Sequence, residues 1–260
     1  MANTNVENDT ASFGFKDVPK AQKAGLVRAV FDKVAPQYDL MNDLMSGGVH
    51  RIWKSVLLDR INPQPGMGLI DLAGGTGDVG IGFLARAAQR PPRERAPASA
   101  TICDINYEML HAGTTRKDAA RFDGHLTRVC GDAQNLGFPD NHFDTYTIAF
   151  GIRNVTDMSL ALAEAHRVLK PGGRFFCLEF SHAITEGFQK VYDAYSFNVI
   201  PKLGELVTKD RDAYQYLVES IRKFPAQEEF KARIADAGFR RASYENLSGG
   251  IAAIHSGWKF

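Results

Sequence analysis

The chain has 260 residues, of which 44% are hydrophobic and 23% are charged, a composition that fits one globular domain. Its 31 Lys and Arg nearly balance its 30 Asp and Glu, so the net charge of +1 predicts no nucleic-acid partner. The three cysteines form no CxxC pair, which argues against a disulfide framework and a structural zinc site. Without a long apolar run or a signal-like N-terminus, the sequence predicts a cytoplasmic protein.

The first part of the chain predicts a polar tail followed by helices. Residues 1–12 are mostly polar and are expected to be flexible. Between residues 20 and 60, apolar side chains recur at helical spacing. These positions are Leu26, Val27, Val30, Phe31, Val34, Ile52, Trp53, Val56 and Leu57.

The middle of the chain repeats a short apolar run, a turn and a helix-like stretch. The apolar runs cover residues 68–73, 100–105, 126–131, 144–151 and 174–181. Runs of this length, bounded by turn residues, predict buried parallel strands that alternate with helices in an α/β fold of three layers. A loop rich in proline and arginine at residues 90–98 interrupts the pattern, and we assign it no role.

The last part of the chain predicts two helices and a hairpin. Apolar side chains follow one helical stripe at Phe188, Val191, Tyr192, Tyr195, Val199 and Ile200, and a second at Tyr214, Tyr216, Leu217 and Ile221. Such stripes are typical of helices that pack on a core. The end of the chain predicts two strands joined by a tight turn at residues 248–250.

The segment LIDLAGGTGDVG at residues 69–80 predicts a strand, a glycine loop and the start of a helix. Glycines allow a ligand to approach the backbone more closely than a Cβ atom would permit, and the helix start offers free N–H groups to an anion. Gly75, Gly77 and Gly80 also spell the dinucleotide fingerprint GxGxxG. The loop therefore predicts a nucleotide-type cofactor, with a merely structural turn as the alternative.

Carboxylates near the ends of the predicted strands separate two classes of cofactor. Asp104 lies at the end of the second run and is suited to accept both hydroxyls of a ribose, or alternatively to cap a helix or to be a solvated acid in a turn. A site for S-adenosylmethionine differs from one for NAD by an acid before the glycines and by an aspartate with a small neighbour after the third strand. Asp71 and the pair Asp132–Ala133 occupy these positions. The combination predicts S-adenosylmethionine.

Longer motifs resemble a known family. The segments YDLMNDLMSGGVHRIW (38–53) and RVLKPGGRFFCLEFS (167–181) resemble the two signatures of the UbiE-type C-methyltransferases of ubiquinone and menaquinone biosynthesis. FGIRNVTD (150–157), YDAYSFNVIPKLG (192–204) and VESIRKFP (218–225) are similar to the same family. The resemblance implies the class I S-adenosylmethionine-dependent methyltransferase fold. This α/β fold has a seven-stranded, mostly parallel sheet with helices on both faces and an antiparallel C-terminal strand.

The resemblance also implies how the chain is organised. After the tail, residues 13–260 are expected to form one methyltransferase domain. Its parts are a helical segment on the substrate side at 13–60, a cofactor-binding core at 66–182, a helical lid at 183–225, and a C-terminal helix and hairpin at 226–260. The aromatic stripe in the lid has two interpretations, which are core packing and a cover for an isoprenoid tail.

Cofactor contacts at Thr76, Asp104, Asp132 and Ala133 are implied by the resemblance. Together with the residues of the strand and glycine loop, the predicted cofactor-binding set is Asp71, Gly74, Gly75, Thr76, Gly77, Asp104, Ile105, Asp132, Ala133 and Ala149. Some relatives carry serine at the position of Ala149, so a hydroxyl contact from there is absent. No cluster of residues has metal-ligand spacing, and we expect no metal.

The implied reaction is methyl transfer to a ring carbon of a polyprenyl quinol, which requires an ionised hydroxyl beside that carbon. A phenolic pKa near about 10 leaves roughly a thousandth ionised at neutral pH, a deficit of about 4 kcal/mol. The site therefore needs a base or a positive field beside the hydroxyl. The candidates are Tyr38, Asp39, Asn42, Asp43, His50, Arg153 and Asn154.

These candidates carry alternatives. Arg153 follows the fourth strand, where ligands bind in open α/β sheets, and the resemblance favours it, acting with water and a nearby acid. A capping or salt-bridged arginine is the alternative. His50 has the best intrinsic pKa for a base but is equally consistent with a packed structural residue. Asp39 and Asp43 would share a helix face, or are simply solvated.

The insolubility of such a substrate implies peripheral contact with a membrane. With the resemblance, this predicts a cytoplasmic bacterial protein associated with the inner face of the cell membrane. Other quinone-biosynthesis proteins and a second copy of the chain are further expected partners. Two alternative functions remain open at this point. One is a methyltransferase for a different small or lipid acceptor, and the other is a non-catalytic scaffold subunit of a quinone-synthesis complex.

Overall fold

The computed structural model describes residues 10–34, 43, 46–91, 96–198, 201–202 and 211–260. Its first elements are two short antiparallel strands, β1 (Thr10–Phe13) and β2 (Lys16–Pro19), which lead into helix α1 (Lys20–Val34). Gly14 has a φ of +61° in the turn between them, a conformation that favours glycine. Residues 10–12, assigned to a flexible tail by the sequence, thus form a strand.

A seven-stranded sheet forms the centre of the fold. Its strands are β3 (Gly68–Leu72), β4 (Ser99–Asp104), β5 (Leu126–Cys130), β6 (Phe143–Ala149), β7 (Leu169–Phe180), β8 (Arg240–Leu247) and β9 (Ala252–Trp258). They lie in the order β5-β4-β3-β6-β7-β9-β8. Strands β3 to β7 pair in parallel, and β9 is antiparallel to both of its neighbours. The predicted strands and the predicted fold class are confirmed.

Helices cover both faces of the sheet, as predicted. They are α2 (His50–Ile61), α3 (Asp78–Ala88), α4 (Tyr107–Thr114), α5 (Met158–Val168), α6 (Glu186–Asn198), α7 (Arg211–Lys223) and α8 (Gln227–Asp236). One hydrophobic cluster contains Leu57 of α2 and Leu217 of α7, and the other contains Phe230 of α8. Side chains alternate between the faces of a strand, so Phe175 of β7 joins the second cluster and Phe176 the first.

The two predicted stripes near the C-terminus pack on the core where they are described. The whole stripe of α7, which is Tyr214, Tyr216, Leu217 and Ile221, is buried. In α6, Tyr192 is buried and Tyr195 packs against the core. The side chains of Phe188 and Val191 and residues 199–200 lie outside the described part of the chain. Leu26 and Ile52, predicted at apolar helix positions, are exposed.

The order of the strands reverses between β3 and β6. From β3 the chain proceeds to β4 and β5 on one side, whereas β6 and β7 extend the sheet on the other. In open parallel sheets, ligands bind outside the carboxyl ends of the strands at this reversal. The residues that follow β3, β4, β5 and β6 are therefore the ones that form the site.

Candidate active site

The glycine loop between β3 and α3 is shaped by tight packing. Gly75 and Gly77 have φ angles of +53° and +97°, a region that favours glycine. A Cβ atom on Gly74 would lie 2.7 Å from Cγ2 of Ile102 and 2.9 Å from the carbonyl oxygen of Asp71, and one on Gly77 would also overlap Ile102. Gly74 and Gly77 are therefore required by the loop's own packing, while Gly75 lines two cavities.

Asp104 at the end of β4 holds this loop in place. Its Oδ2 accepts a hydrogen bond from the backbone N–H of Gly75 (2.9 Å), and its Oδ1 accepts one from Asn106 (2.8 Å). Burial raises the pKa of Asp104, and the backbone hydrogen bonds oppose that shift. Asn106, not Asp104, caps α4, since its Oδ1 accepts from the backbone N–H of Met109.

The larger cavity, of about 850 Å³ including its opening, brings together the residues predicted to bind a nucleoside. Its lining includes Gly75, Asp104, Ile105, Asp132 and Ala133. Asp132 accepts hydrogen bonds from the backbone N–H and the side-chain amide of Gln134 (2.9 and 3.0 Å). Helix α1 closes one side of the cavity with Ala24, Val27 and Phe31, which the sequence analysis did not assign to the cofactor.

The smaller cavity, of about 330 Å³, contains most of the other predicted cofactor residues: Asp71, Gly74, Thr76 and Ala149, with Gly75 shared between the two. Asp71 is only 1% exposed, and Thr147 donates its hydroxyl proton to Oδ1 (2.7 Å). Oδ2 of Asp71 has no hydrogen-bond partner among the described residues. Burial raises the pKa of Asp71 to about 7. A buried carboxylate oxygen without a partner is costly, and a cationic ligand group would satisfy it.

An ion-pair cluster that was not predicted contributes Lys54 and Asp78 to the lining of this cavity. Asp78, at the start of α3, pairs with Lys54 of α2 (2.6 Å) and with Arg116. Burial by itself would raise the pKa of Asp78, but the two cations outweigh it and hold that pKa well below its usual range. The three residues come from separate elements, so their spacing along the chain gave no signal.

Arg153 lies after β6, at the predicted edge of the sheet, and forms a buried ion pair. Its side chain is 4% exposed, and its Nη1 donates to Oε1 of Glu179 (2.6 Å) and to the carbonyl oxygen of Phe150 (2.7 Å). Burial raises the pKa of Glu179, and Arg153 opposes that shift. Sequence reasoning missed Glu179. Glu179 is the single acid within the apolar run RFFCLEFS, and this could have revealed its role. A buried acid usually has a partner of opposite charge, so such a run indicates a nearby cation.

Asn154 reaches the larger cavity, whereas Arg153 is not among the described residues that line it. The side-chain oxygen of Asn154 accepts a hydrogen bond from the hydroxyl of Tyr216 in α7 (2.9 Å). Phe150, Gly151 and Val155 line the same wall of the cavity. The two neighbouring candidates thus differ in position, since Asn154 lines the cavity and Arg153 is held in its buried ion pair.

His50 contacts its own sequence neighbours. It is 1% exposed at the start of α2, with its Nδ1 3.0 Å from the hydroxyl of Ser46 and 3.6 Å from Oδ1 of Asp43. Burial lowers the pKa of His50. Asp43 also pairs with Arg51 (2.9 Å). These contacts favour the structural interpretation of His50. Tyr38, Asp39 and Asn42 lie outside the described residues.

The architecture and this set of residues can be compared with known proteins. The model of the ubiE/COQ5 methyltransferase family matches residues 15–259. The chain belongs to the ubiE/COQ5 methyltransferase family. The predicted resemblance is therefore confirmed, over almost the whole chain.

Individual members of the ubiE/COQ5 family match this chain from end to end. The ubiquinone/menaquinone biosynthesis C-methyltransferase UbiE of Caulobacter vibrioides is 57% identical over 254 residues, which are 97% of this chain and 99% of that protein. UbiE of Cereibacter sphaeroides is 56% identical, over 97% of this chain and 98% of its own length.

Solved structures resemble the chain at lower identity. Phosphoethanolamine N-methyltransferase 2 of Haemonchus contortus, in complex with phosphomonomethylethanolamine and S-adenosylhomocysteine, matches with a TM-score of 0.62. The match is 14% identical and covers 94% of this chain and 62% of that one, so it shows the shared fold alone.

The described residues contain neither a membrane-spanning helix nor a metal-binding cluster. None of their helices is long and apolar enough to span a membrane. Among the same residues, no group of three or more His, Cys, Asp or Glu side chains is arranged to hold a metal ion.

Proposed function

We propose that this member of the ubiE/COQ5 family is an S-adenosylmethionine-dependent C-methyltransferase that acts on a ring carbon of a polyprenyl benzoquinol or of demethylmenaquinol. One observation carries the proposal. A single glycine loop joins a cavity that contains Asp104 and Asp132 to a second cavity that contains a carboxylate oxygen without a partner, on Asp71. A nucleoside with a cationic amino-acid tail has the chemistry to fill both cavities.

The residues of the two cavities fit this cofactor. Asp104 and Asp132 would accept hydrogen bonds from the ribose hydroxyls and the adenine amino group, and Ala133 leaves room for the ring. Asp71 would bind the ammonium group of the methionyl tail, which would supply the partner that Oδ2 lacks. When bound, the cofactor supplies an electrophilic methyl group on a sulfonium.

The wall that follows β6 suits a quinol ring. Phe150 and Val155 offer apolar surface, and Asn154 offers an amide to a ring oxygen. Nε of Arg153 has no hydrogen-bond partner among the residues described. Arg153 is not among the described residues that line the cavity, so we assign it the role of stabilising the ionised hydroxyl through its positive charge rather than by direct contact. It is not the base, because a guanidinium cannot itself release a proton near neutral pH. The proton of the hydroxyl leaves through water to a carboxylate, for which Asp39 and Asp43 are the candidates. Tyr38 and Asn154 are further residues that we propose for the catalytic site.

Titration calorimetry followed by an activity assay tests this function. The purified protein is expected to bind S-adenosylmethionine and then to methylate a short-tailed benzoquinol or naphthoquinol in its reduced form. Tight binding of NADH without binding of S-adenosylmethionine would contradict the cofactor. Binding of the methyl donor without turnover on either quinol would favour a scaffold subunit, and turnover only on a different acceptor would favour the other alternative.

A polyprenyl substrate also requires contact with a membrane, and we place this protein at the inner face of the bacterial cell membrane. Phe15 is 52% exposed and stacks on Phe197 of α6, with ring centroids 6.1 Å apart. Phe197 is half-buried against the core, so the exposed ring of Phe15 is the one suited to enter the headgroup region of a bilayer. Addition of lipid vesicles should slow hydrogen exchange in residues 186–198. If hydrogen exchange in these residues is unchanged while quinol turnover in vesicles is intact, this region only packs on the core and does not contact the membrane.

A further inference from the structure

We propose that Tyr216 is a positioning residue, which fixes the side-chain amide of Asn154 so that Nδ2 donates into the larger cavity. This inference rests on the proposed function, in which that cavity receives a quinol oxygen. The hydroxyl of Tyr216 donates to Oδ1 of Asn154 at 2.9 Å. An amide offers one oxygen and one NH2 group, so a bond to the oxygen leaves the donor free.

The state of Tyr216 favours the donor role. The residue is 5% exposed, and burial raises its pKa far above the range in which enzymes work, so the phenol keeps its proton. If the amide of Asn154 were reversed, its NH2 group would face the tyrosine oxygen and the phenolic proton would lose this acceptor. A buried hydroxyl without an acceptor costs free energy, which selects the orientation with Oδ1 toward Tyr216.

The N-terminal hairpin holds the ring of Tyr216. Phe13 of β1 stacks on it with centroids 4.2 Å apart and an interplanar angle of 21°. Two residues further along, the backbone N–H of Phe15 donates to Glu219 of α7 (3.0 Å). Tyr216 and Glu219 lie three residues apart on one helix, so the hairpin contacts the face of α7 that carries the tyrosine.

Helix α1 holds the backbone beside Asn154 from another direction. Nζ of Lys23 donates to the carbonyl oxygen of Val155 at 2.9 Å, and Lys23 is only 5% exposed. The same helix closes the cavity with Val27 and Phe31. Residues 10–34 therefore both line one side of the cavity and restrain the position of Asn154.

A double-mutant cycle tests this role. Tyr216→Phe keeps the ring and its stacking on Phe13 and removes only the hydroxyl. We expect kcat to fall about tenfold, the effect of one lost hydrogen bond of ordinary strength, with the affinity for S-adenosylmethionine changed less than about twofold. In an Asn154→Ala background the same substitution should cause no further loss of kcat, because Tyr216 acts through Asn154.

A control on the same helix separates positioning from stability. Ser220→Ala also removes a buried hydroxyl, one that donates to the carbonyl oxygen of Leu217 (2.8 Å), and it should leave kcat unchanged. Equal losses of kcat for Tyr216→Phe in both backgrounds, or wild-type kcat in the single variant, would overturn the inference alone. A wild-type protein that binds the methyl donor but methylates no quinol would overturn the proposed function, and this inference with it.

Discussion

The guanidinium of Arg153 lies 2.6 Å from the carboxylate of Glu179, and both side chains are almost completely buried. Neither charge can be removed cheaply, because its partner would be left in a medium of low dielectric. Glu179 also accepts a hydrogen bond from the backbone N–H of Phe180, which ties the pair to the end of β7. The pair therefore fixes the loop after β6 against the neighbouring strand.

Breaking this pair should destabilise the fold. Glu179→Ala leaves the Arg153 charge without a partner, and we expect the free energy of unfolding to fall by about 3–5 kcal/mol. Glu179→Gln should cost less, since the amide oxygen still accepts from Arg153. The control is Glu245→Gln, which removes a carboxylate from an exposed pair with Arg60 and should change stability little. Urea unfolding measures all three, and similar small losses throughout would contradict a buried structural pair.

Arg153 should matter more for turnover than His50. Preorganised charge that stabilises a developing negative charge is worth about 10²–10³ in rate, so loss of the Arg153 charge in Arg153→Ala should cost up to that much. Arg153→Lys should remain impaired, because it lacks the planar fork that holds Glu179 and the carbonyl oxygen of Phe150. Affinity for the methyl donor should change less than turnover in both, although Arg153→Ala also leaves the buried Glu179 without its partner. Raising the pH toward the pKa of the quinol should partly rescue Arg153→Ala, because the solvent then ionises the hydroxyl.

The matched variant is His50→Ala, at a residue held by Ser46 and by the start of α2. It should retain more turnover than Arg153→Ala while losing thermal stability. A profile in which His50→Ala is the less active variant, and in which Arg153→Ala gains nothing at high pH, would reverse the two assignments.

Binding of the methyl donor should depend on the protonation of Asp71. Burial raises the pKa of this carboxyl to about 7 from the value of 3.8 expected in the unfolded chain. Its contribution to folding is therefore fully present below pH 3.8 and is lost as the pH rises through 7. Ionisation of Asp71 is unfavourable for folding, but it favours binding of the ligand's ammonium group. The affinity for S-adenosylmethionine should therefore increase as the pH rises toward 7. Calorimetry at several pH values should show that the affinity for S-adenosylmethionine depends on pH in the wild type and does not in Asp71→Asn. A flat wild-type profile would contradict this role.

Gly75 should not tolerate a side chain. Its φ of +53° strains any residue with a Cβ atom, and such an atom would meet Cε of Met109 at 3.0 Å. Gly75→Val should therefore abolish binding of S-adenosylmethionine. Gly137→Val is the control, because a Cβ atom on Gly137 would meet no other atom within 4 Å. This variant should bind S-adenosylmethionine normally. Equal binding by both variants would show that the loop does not contact the ligand.

Asp104→Ala should weaken the same binding by about 1.5–3 kcal/mol, the range for hydrogen bonds to a charged group. The loss has two sources, since Asp104 also fixes the N–H of Gly75. Asp104→Asn should bind more tightly than the alanine variant, because an amide oxygen still accepts one of these bonds. Calorimetry that finds all three proteins alike would remove Asp104 from the site.

The strands and the cofactor acids were predictable because each depends on local order. An apolar run bounded by turn residues specifies a buried strand, and an acid at its end reaches the carboxyl edge of the sheet, as Asp104 and Asp132 do. The partners of these residues were not predictable. Glu179 meets Arg153, and Lys54 meets Asp78, only because the sheet and its helices bring distant segments together.

The amphipathic helices show a second limit of the sequence. The helical period located α1 and α2, but it could not distinguish core positions from exposed ones, and Ile52 is 63% exposed. The strand at residues 10–13 was missed because a pair of four-residue strands leaves almost no periodic signal. That hairpin bears on the role proposed for Tyr216, since its Phe13 stacks on the tyrosine ring.

The most direct test of the account is the position of the transferred methyl group. The protein would be incubated with a reduced short-tailed quinol and S-adenosylmethionine carrying an isotopically labelled methyl, and the product analysed by mass spectrometry and NMR. We predict one label per product, bonded to a ring carbon, and an incorporation rate about 10²–10³-fold lower when Arg153→Ala replaces the wild type at neutral pH. A label on a ring oxygen, or no label in any quinol product of the wild type, would contradict C-methylation by this site.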